Sequence, residues 1–236
     1  AALGARCAFI GQVADDQLGE VFAHDIRAGG IAFTTPPRPG QPPTARCLIL
    51  VTPDGQRTMN TFLGAAQYLD ETALDAAMIA DAAVLYLEGY LWNADESRSA
   101  MAQAIAIAKA AGRKVAFTLS DAFVIEGHRA DFLRMIDAGE IDILFANEVE
   151  ICCLTQVEDF EGAMAAMAGK VPVLVVTHGA DGAHCVIGGE RFSVPAEPVA
   201  KVVDTTGAGD LFAAGFLTGL AEGRDPAACL TMGAVA

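Results

Sequence analysis

The strongest constraint on the fold is a rhythm that begins at Asp70. A helical pattern over 70–80 leads to a strand at Val84–Leu87, and one over 95–111, stopped by Gly112, leads to Val115–Leu119. A helix near 126–137 leads to Ile141–Phe145, and a helix over 158–168 leads to Val173–Thr177. The short runs are apolar throughout, as strands covered on both faces are. This alternation predicts an α/β fold: a doubly wound, mostly parallel sheet flanked by helices. Ala183–Ile187 and Arg191–Val194, joined by Gly188-Gly189, predict a late hairpin.

The first third departs from the rhythm. Ala8–Val13 reads as a buried strand, and Asp16–Ala28 as an amphipathic helix stopped by Gly29-Gly30. Asp15 and Asp16 are expected to cap that helix. Pro36, Pro37, Pro39, Pro42 and Pro43 then exclude helix and central strand. Arg46–Thr52 and Arg57–Phe62 read as two short strands around a turn signal at Pro53–Gln56. Residues 33–63 are therefore expected to form a small β appendage on a core made of 1–32 and 64–236.

The chain has 236 residues, 53% of them hydrophobic, enough for one sizeable domain. Its formal net charge of -15 argues against nucleic acid or an anionic membrane surface as partner. No apolar run reaches membrane-spanning length, and no secretory leader is visible. Six cysteines with no Cys-x-x-Cys pair suggest reduced, cytoplasmic usage. The four histidines have no zinc-ligand spacing with them. The chain starts and stops in mid-pattern, at Ala1 and in an apolar helix at Ala236, so both ends read as cut.

Chemistry is concentrated in Lys201–Phe216, KVVDTTGAGDLFAAGF. An apolar strand (Val202, Val203) is expected to enter a glycine-bracketed turn from which a helix starts at once. The amides of Gly207, Ala208 and Gly209 are expected to lack partners there, and with the helix dipole they make an anion site. Asp210 would repel that anion unless its work is to take a proton. The pairing suggests phosphoryl transfer to a hydroxyl. A bare turn followed by a dipole-complementing Asp is the alternative.

Three further groups fall after predicted strands, where open parallel sheets bind ligands. Asn147 and Glu150 share a face at a helix start; they suit a water-mediated Mg²⁺ contact or a plain capping arrangement. Thr177-His-Gly179-Ala-Asp-Gly182 permits close backbone approach, or simply a tight turn. Gly11–Gly19 is another strand-to-helix turn.

Taken together, Asp204-Thr-Thr-Gly-Ala-Gly-Asp210, Asn147-x-x-Glu150, Thr177-x-Gly179-x-x-Gly182 and Gly11–Gly19 resemble, in order, the motifs of the ribokinase-like (PfkB-type) carbohydrate and nucleoside kinases. Ala14 stands where the last motif usually has its second glycine. The resemblance implies a kinase moving the ATP γ-phosphate to a primary hydroxyl of a small nucleoside or sugar. Asp210 would be the base and the 207–209 amides the anion hole. Thr177, Gly179, Gly182 and Asn147 would border the nucleotide, and Asn147 and Glu150 would contact Mg²⁺ through water. Asp204 and Thr206 match part of a monovalent-cation (K⁺) site. The β appendage would be a lid over the acceptor.

The family's N-terminal strand, its acceptor-gripping Asp and its Gly-Gly-x-x-x-Asn motif would precede Ala1, and a further stretch would follow Ala236. Phe117–Phe123, Ile141–Glu148 and Arg57–Ala65 look like the adenosine kinase branch. That likeness implies adenosine as acceptor, with Asn60 bonding a hydroxyl and Phe62 covering a sugar or base face; Phe62 packing the lid down is equally compatible. Ribose or fructose kinases share the core motifs, and a non-catalytic nucleotide-binding regulator would keep the pocket. An NAD enzyme is disfavoured because Gly207-Ala-Gly209 lacks a third glycine. Monomer and homodimer are both compatible with the resemblance.

Overall fold

The computed structural model describes residues 1–40, 42–53 and 57–236. Its centre is a six-stranded sheet of β3 (Val84–Glu88), β4 (Lys114–Thr118), β5 (Ile143–Asn147), β6 (Val173–Thr177), β7 (Ala183–Ile187) and β8 (Glu190–Val194), adjacent in that order. The first four are parallel; β7 and β8 run antiparallel. A separate two-stranded antiparallel sheet, β1 (Arg46–Val51) and β2 (Arg57–Phe62), pairs Arg46 with Phe62. Three of the predicted turn residues between them, Asp54, Gly55 and Gln56, lie outside the described residues.

The all-apolar runs are explained by two cores. Along β4, Val115 and Phe117 join one cluster and Ala116 the other. Along β5, Leu144 and Ala146 face one side, Ile143 and Phe145 the other. Side chains alternate across a strand, so a strand buried on both faces must be apolar at every position. One face is covered by α3 (Asp95–Ala110), α4 (Ala122–Asp137), α5 (Glu148–Thr155) and α6 (Phe160–Met167). Trp92, Phe117 and Phe132 pack there with ring centroids 5.2–6.1 Å apart.

The other face carries α7 (Ala208–Ala221) and α8 (Pro226–Val235). Phe216 of α7 is buried and meets Phe145 edge-on at 5.7 Å. Burying such a ring contributes about 1.5–3 kcal/mol. The two helices approach closely because Gly215 lies against the Met232 backbone: an added Cβ would sit 2.3 Å from its carbonyl oxygen. This packing fixes where α7 begins.

The sequence reading needs several corrections. Ala8–Val13 is extended, but it forms only isolated bridges at Ala8–Ala32 and Ala14–Arg38, and Ala8 and Phe9 are exposed. No strand runs through Val202 and Val203, which are exposed without ladder partners. Apolar character alone does not make a strand when no neighbour supplies hydrogen bonds. The pattern over 70–80 splits into a 3₁₀ turn, Glu71–Ala73, and a short helix, α2 (Ala76–Asp81), because Asp75 caps the latter by accepting from Met78 N–H at 2.9 Å. The helix near 126–137 starts earlier, at Ala122, with a kink at His128. β5 lies two residues later than expected, which places Asn147 on its last rung.

Asp16 does cap α1 (Gln17–Ala28), accepting from Gly19 N–H at 2.8 Å. Its carboxylate also takes the Thr44 N–H and hydroxyl, at 2.8 and 2.6 Å, at the root of β1. The Asp15 side chain makes no bond among the described residues; only its N–H is engaged, to Arg38.

Candidate active site

The carboxyl ends of the parallel strands form one edge. Register sets Glu88 beside Thr118, and Asn147 beside Thr177. Two helices start at this edge region in opposite styles. At α5, Asn147 Oδ1 accepts from Glu150 N–H (2.9 Å), while the Glu150 carboxylate accepts from Asn147 N–H (3.1 Å) and Nδ2 (2.7 Å). This is a complete capping box. The capping alternative for this pair is therefore met in full, and each Glu150 oxygen keeps lone-pair capacity for a further donor.

Glu150 is buried, 7% exposed. Burial pushes its carboxyl up to about 7, helped by the Asp121 and Glu148 charges and opposed by the Asn147 N–H. No cationic side chain is among the groups that shift it. A dication nearby would relieve that situation. No group of three or more His, Cys, Asp or Glu gathers as a metal cage among the described residues. The donor set therefore fits a Mg²⁺ held through water better than one bound directly.

At α7 the N-terminus is left open. Gly207 is the N-cap with φ +77°, a conformation costly to any residue with a Cβ, and it offers no side-chain cap. Ala208 departs from expectation: its N–H donates to Thr205 C=O at 3.2 Å, closing the turn. The Gly207 and Gly209 amides have no partner among the described residues. A Cβ on Gly209 would meet nothing within 4 Å. Asp210 is exposed in the first turn. Its charge reaches Tyr86 and Glu88 on β3. Burial raises the Tyr86 phenol, with Glu88 and Asp210 adding to it; burial and then Asp210 raise the Glu88 carboxyl. Glu88 retains solvent access although protein crowds it.

The Thr177–Gly182 turn is braced. His178 N–H donates to Gly182 C=O at 2.8 Å, and the His178 ring stacks on Phe160 at 4.1 Å. Gly182 has φ +103°, and a Cβ there would lie 2.0 Å from Val194 O. Gly179 borders Glu148, whose Oε1 is 3.8 Å from a Cβ built on that glycine. The structure thus brings the 147–150 and 177–182 groups together.

Asp204 and Thr206 are spent on each other. Thr206 N–H and hydroxyl both donate to Asp204 Oδ1, at 2.8 and 2.7 Å, which lowers the Asp204 pKa with a smaller contribution from Arg57. Arg57 of β2 also donates to Thr205 Oγ1, so the small sheet touches the turn that leads to Asp210. Phe62 is half-exposed, with the Arg46 guanidinium 4.9 Å from its ring centre. Asn60 is exposed, opposite Leu48 in the ladder, and its side chain makes no bond among the described residues.

Sequence reasoning gave no role to several groups that the structure gathers here: Tyr86, Glu88, Tyr90, Asp121, Phe123 and Arg57. Tyr90 and Phe123 form a ring pair, centroids 6.2 Å apart, with 42% and 57% of their surfaces exposed. Burial chiefly raises the Tyr90 phenol, and Asp121, Glu150 and Glu88 add to it. The signal was available: Glu88-Gly-Tyr90 directly follows a predicted strand, where ligands of parallel sheets sit.

The fold and this edge define a phosphotransferase scaffold, and comparison with known proteins gives its family. The model of the pfkB family carbohydrate kinases matches residues 1–236, and the chain belongs to that family. A solved adenosine kinase from Sinorhizobium meliloti is 46% identical with TM-score 0.97, covering 100% of this chain and 72% of its own. A probable sugar kinase from Rhizobium etli CFN 42 is 45% identical with TM-score 0.97, covering 99% and 71%. Fructokinase-1 of Oryza sativa subsp. japonica is 31% identical over 230 residues, 92% of this chain and 69% of that protein.

Proposed function

We propose that this chain transfers the γ-phosphoryl group of ATP to a primary hydroxyl, with the 5′-hydroxyl of adenosine as the acceptor. One observation carries the reading: a solvent-open carboxylate, Asp210, follows directly on an unpartnered amide at an uncapped helix start. Asp210 accepts the hydroxyl proton as the nucleophile attacks. The Gly207 and Gly209 amides, with the α7 dipole, bind the charge that develops; Ala208 lends backbone shape more than a free donor.

Thr177, Gly179, Gly182 and Asn147 border the nucleotide in this reading. Asn147 and Glu150 hold waters of Mg²⁺, which when bound neutralises phosphate charge. Asp204 and Thr206 form part of a K⁺ site by resemblance alone, since their bonds close on each other. The β1–β2 sheet acts as a lid over the core of 1–32 and 64–236, bringing Asn60 and Phe62 to the acceptor and excluding water. Arg57 ties that lid to the 204–206 turn.

The exposed Tyr90–Phe123 pair favours a planar base over a bare sugar, because an aromatic wall stacks on a base. The likeness to an adenosine kinase supports the same choice. A sugar acceptor is the second reading. It is favoured by Glu88, a carboxylate at the same edge able to bond sugar hydroxyls, and by the fructokinase relative.

The test is ATP consumption with Mg²⁺ against adenosine, other nucleosides, ribose and fructose. Turnover with adenosine, lost in Asp210→Asn, is expected. Turnover with a sugar alone would keep the mechanism and overturn the acceptor. ATP binding with no turnover across the panel would favour a nucleotide-binding regulator.

A further inference from the structure

Ser120 stands out as the one non-glycine residue of the site edge with positive φ. Its φ is +70°, and Asp121 N–H donates to Leu119 C=O across it at 2.9 Å. That two-residue closure around a positive φ is a γ-turn of the strained, uncommon hand. A serine held there needs a reason. Its hydroxyl oxygen accepts from Gly89 N–H at 2.9 Å, and the hydroxyl can donate, more weakly at 3.4 Å, to Thr118 C=O.

The two ends of this bond matter. Gly89 lies between Glu88 and Tyr90, just past β3. Asp121 caps α4 and leads to Phe123, accepting its N–H at 3.1 Å. Gly89 is pressed against the β4 exit, so that an added Cβ would lie 2.7 Å from Leu119 O. Further along, Trp92 Nε1 donates to Asp131 at 3.2 Å and the His128 ring meets Asn93 Oδ1 at 2.9 Å, but the Ser120–Gly89 bond is the cross-link that lies next to both Tyr90 and the start of the helix bearing Phe123.

We infer that Ser120 is a positioning residue for the acceptor: its strained turn and hydroxyl fix Tyr90 against Phe123, and so set the wall on which the acceptor rests. This rests on the kinase reading above and deepens it. The hydroxyl does not touch the reacting atoms. It acts through Gly89 on acceptor affinity and leaves the ATP side, built from β5, β6 and α7, unchanged.

The experiment uses two variants, Ser120→Ala and Ser120→Gly, on the full-length protein. Steady-state kinetics are run with whichever acceptor of the panel the wild type turns over. A wild type active only on sugars, or inactive, refutes the nucleoside or the kinase reading before any variant is made. Exchange of the Gly89 amide with deuterium is followed in parallel, and this needs no turnover.

Both variants are expected to raise the acceptor KM about five- to tenfold, the scale of one lost hydrogen bond, with the ATP KM unchanged. The Gly89 amide should exchange faster in both. Ser120→Gly also relieves the backbone strain, so it should melt at or above the wild-type temperature while keeping the acceptor defect. A merely structural serine cannot give that combination. An unchanged acceptor KM, acceptor and ATP KM rising together, or unaltered Gly89 exchange would each overturn the inference.

Discussion

The helix starts at α5 and α7 contrast sharply. At α5 the Asn147 and Glu150 N–H groups are both taken by side chains, and Asn147 and Glu150 cap each other reciprocally. At α7 the N-cap is a glycine, no side chain caps, and the first turn is exposed while Phe212, Ala213 and Phe216 just behind it are buried. A closed start is stable by itself. An open one is supported from behind, by α8 and the sheet, and leaves its amides for something else. Which amides a helix start leaves unsatisfied is therefore a better guide to chemistry than the presence of glycine. The Thr177–Gly182 turn makes the same point, because there glycine serves close packing.

Substitutions at the two starts should separate their roles. The largest effect belongs to the open one: Asp210→Asn should cut turnover by about 10²–10⁴-fold with ATP binding retained. Turnover near that of the wild type would remove Asp210 from the base role and erase the contrast.

Next comes Glu150→Gln. The Glu150 pKa rises on folding from 4.5 to about 7, so the carboxyl favours the folded state fully below its unfolded pKa. That contribution is lost as pH rises through about 7. Glutamine can still cap but does not titrate. Without Mg²⁺, urea unfolding should show the variant gaining on the wild type between about pH 5 and 8, by on the order of 1–3 kcal/mol. A difference that does not change with pH would mean that Glu150 is not held against its charge.

Asn147→Ala removes the cap and should cost about 1 kcal/mol of stability. A loss of ATP or Mg²⁺ affinity beyond what that destabilisation explains would extend its role past capping.

The smallest effect on stability is the most diagnostic. Gly209→Ala places a methyl where nothing lies within 4 Å. It should leave stability unchanged or raise it by about 0.5–1 kcal/mol, yet lower kcat. If kcat held, the open space at α7 would not be where phosphate sits.

Much of the scaffold is legible in the sequence, because a strand buried on both faces must be apolar at every position. The apolar runs within β4 and β6 follow directly from that requirement, whereas β7 admits the partly buried His184 and the edge strand β3 ends on exposed Glu88. Val202 and Val203 mislead for the same reason: hydropathy marks a residue as able to be covered and says nothing of whether a neighbouring strand is present. The Asp204–Asp210 and Asn147–Glu150 motifs are legible because capping and anion binding are local, set by residues one turn apart.

What only the tertiary structure decided is convergence. Glu88, the Ser120–Phe123 segment, Glu150 and Asp210 come from different strand ends and helix starts, and no local rule relates these four places. Parallel register brings β3 and β4 to one edge, and the tight α7–α8 contact at Gly215 sets Asp210 across from Glu88. A positive φ at serine is likewise invisible in a sequence, since the groups that meet it, the Gly89 N–H at its hydroxyl among them, come from a distant segment. Sequence determined the elements and the chemical kinds of group available. Packing determined which groups share one space, because only packing fixes distances between residues far apart along the chain.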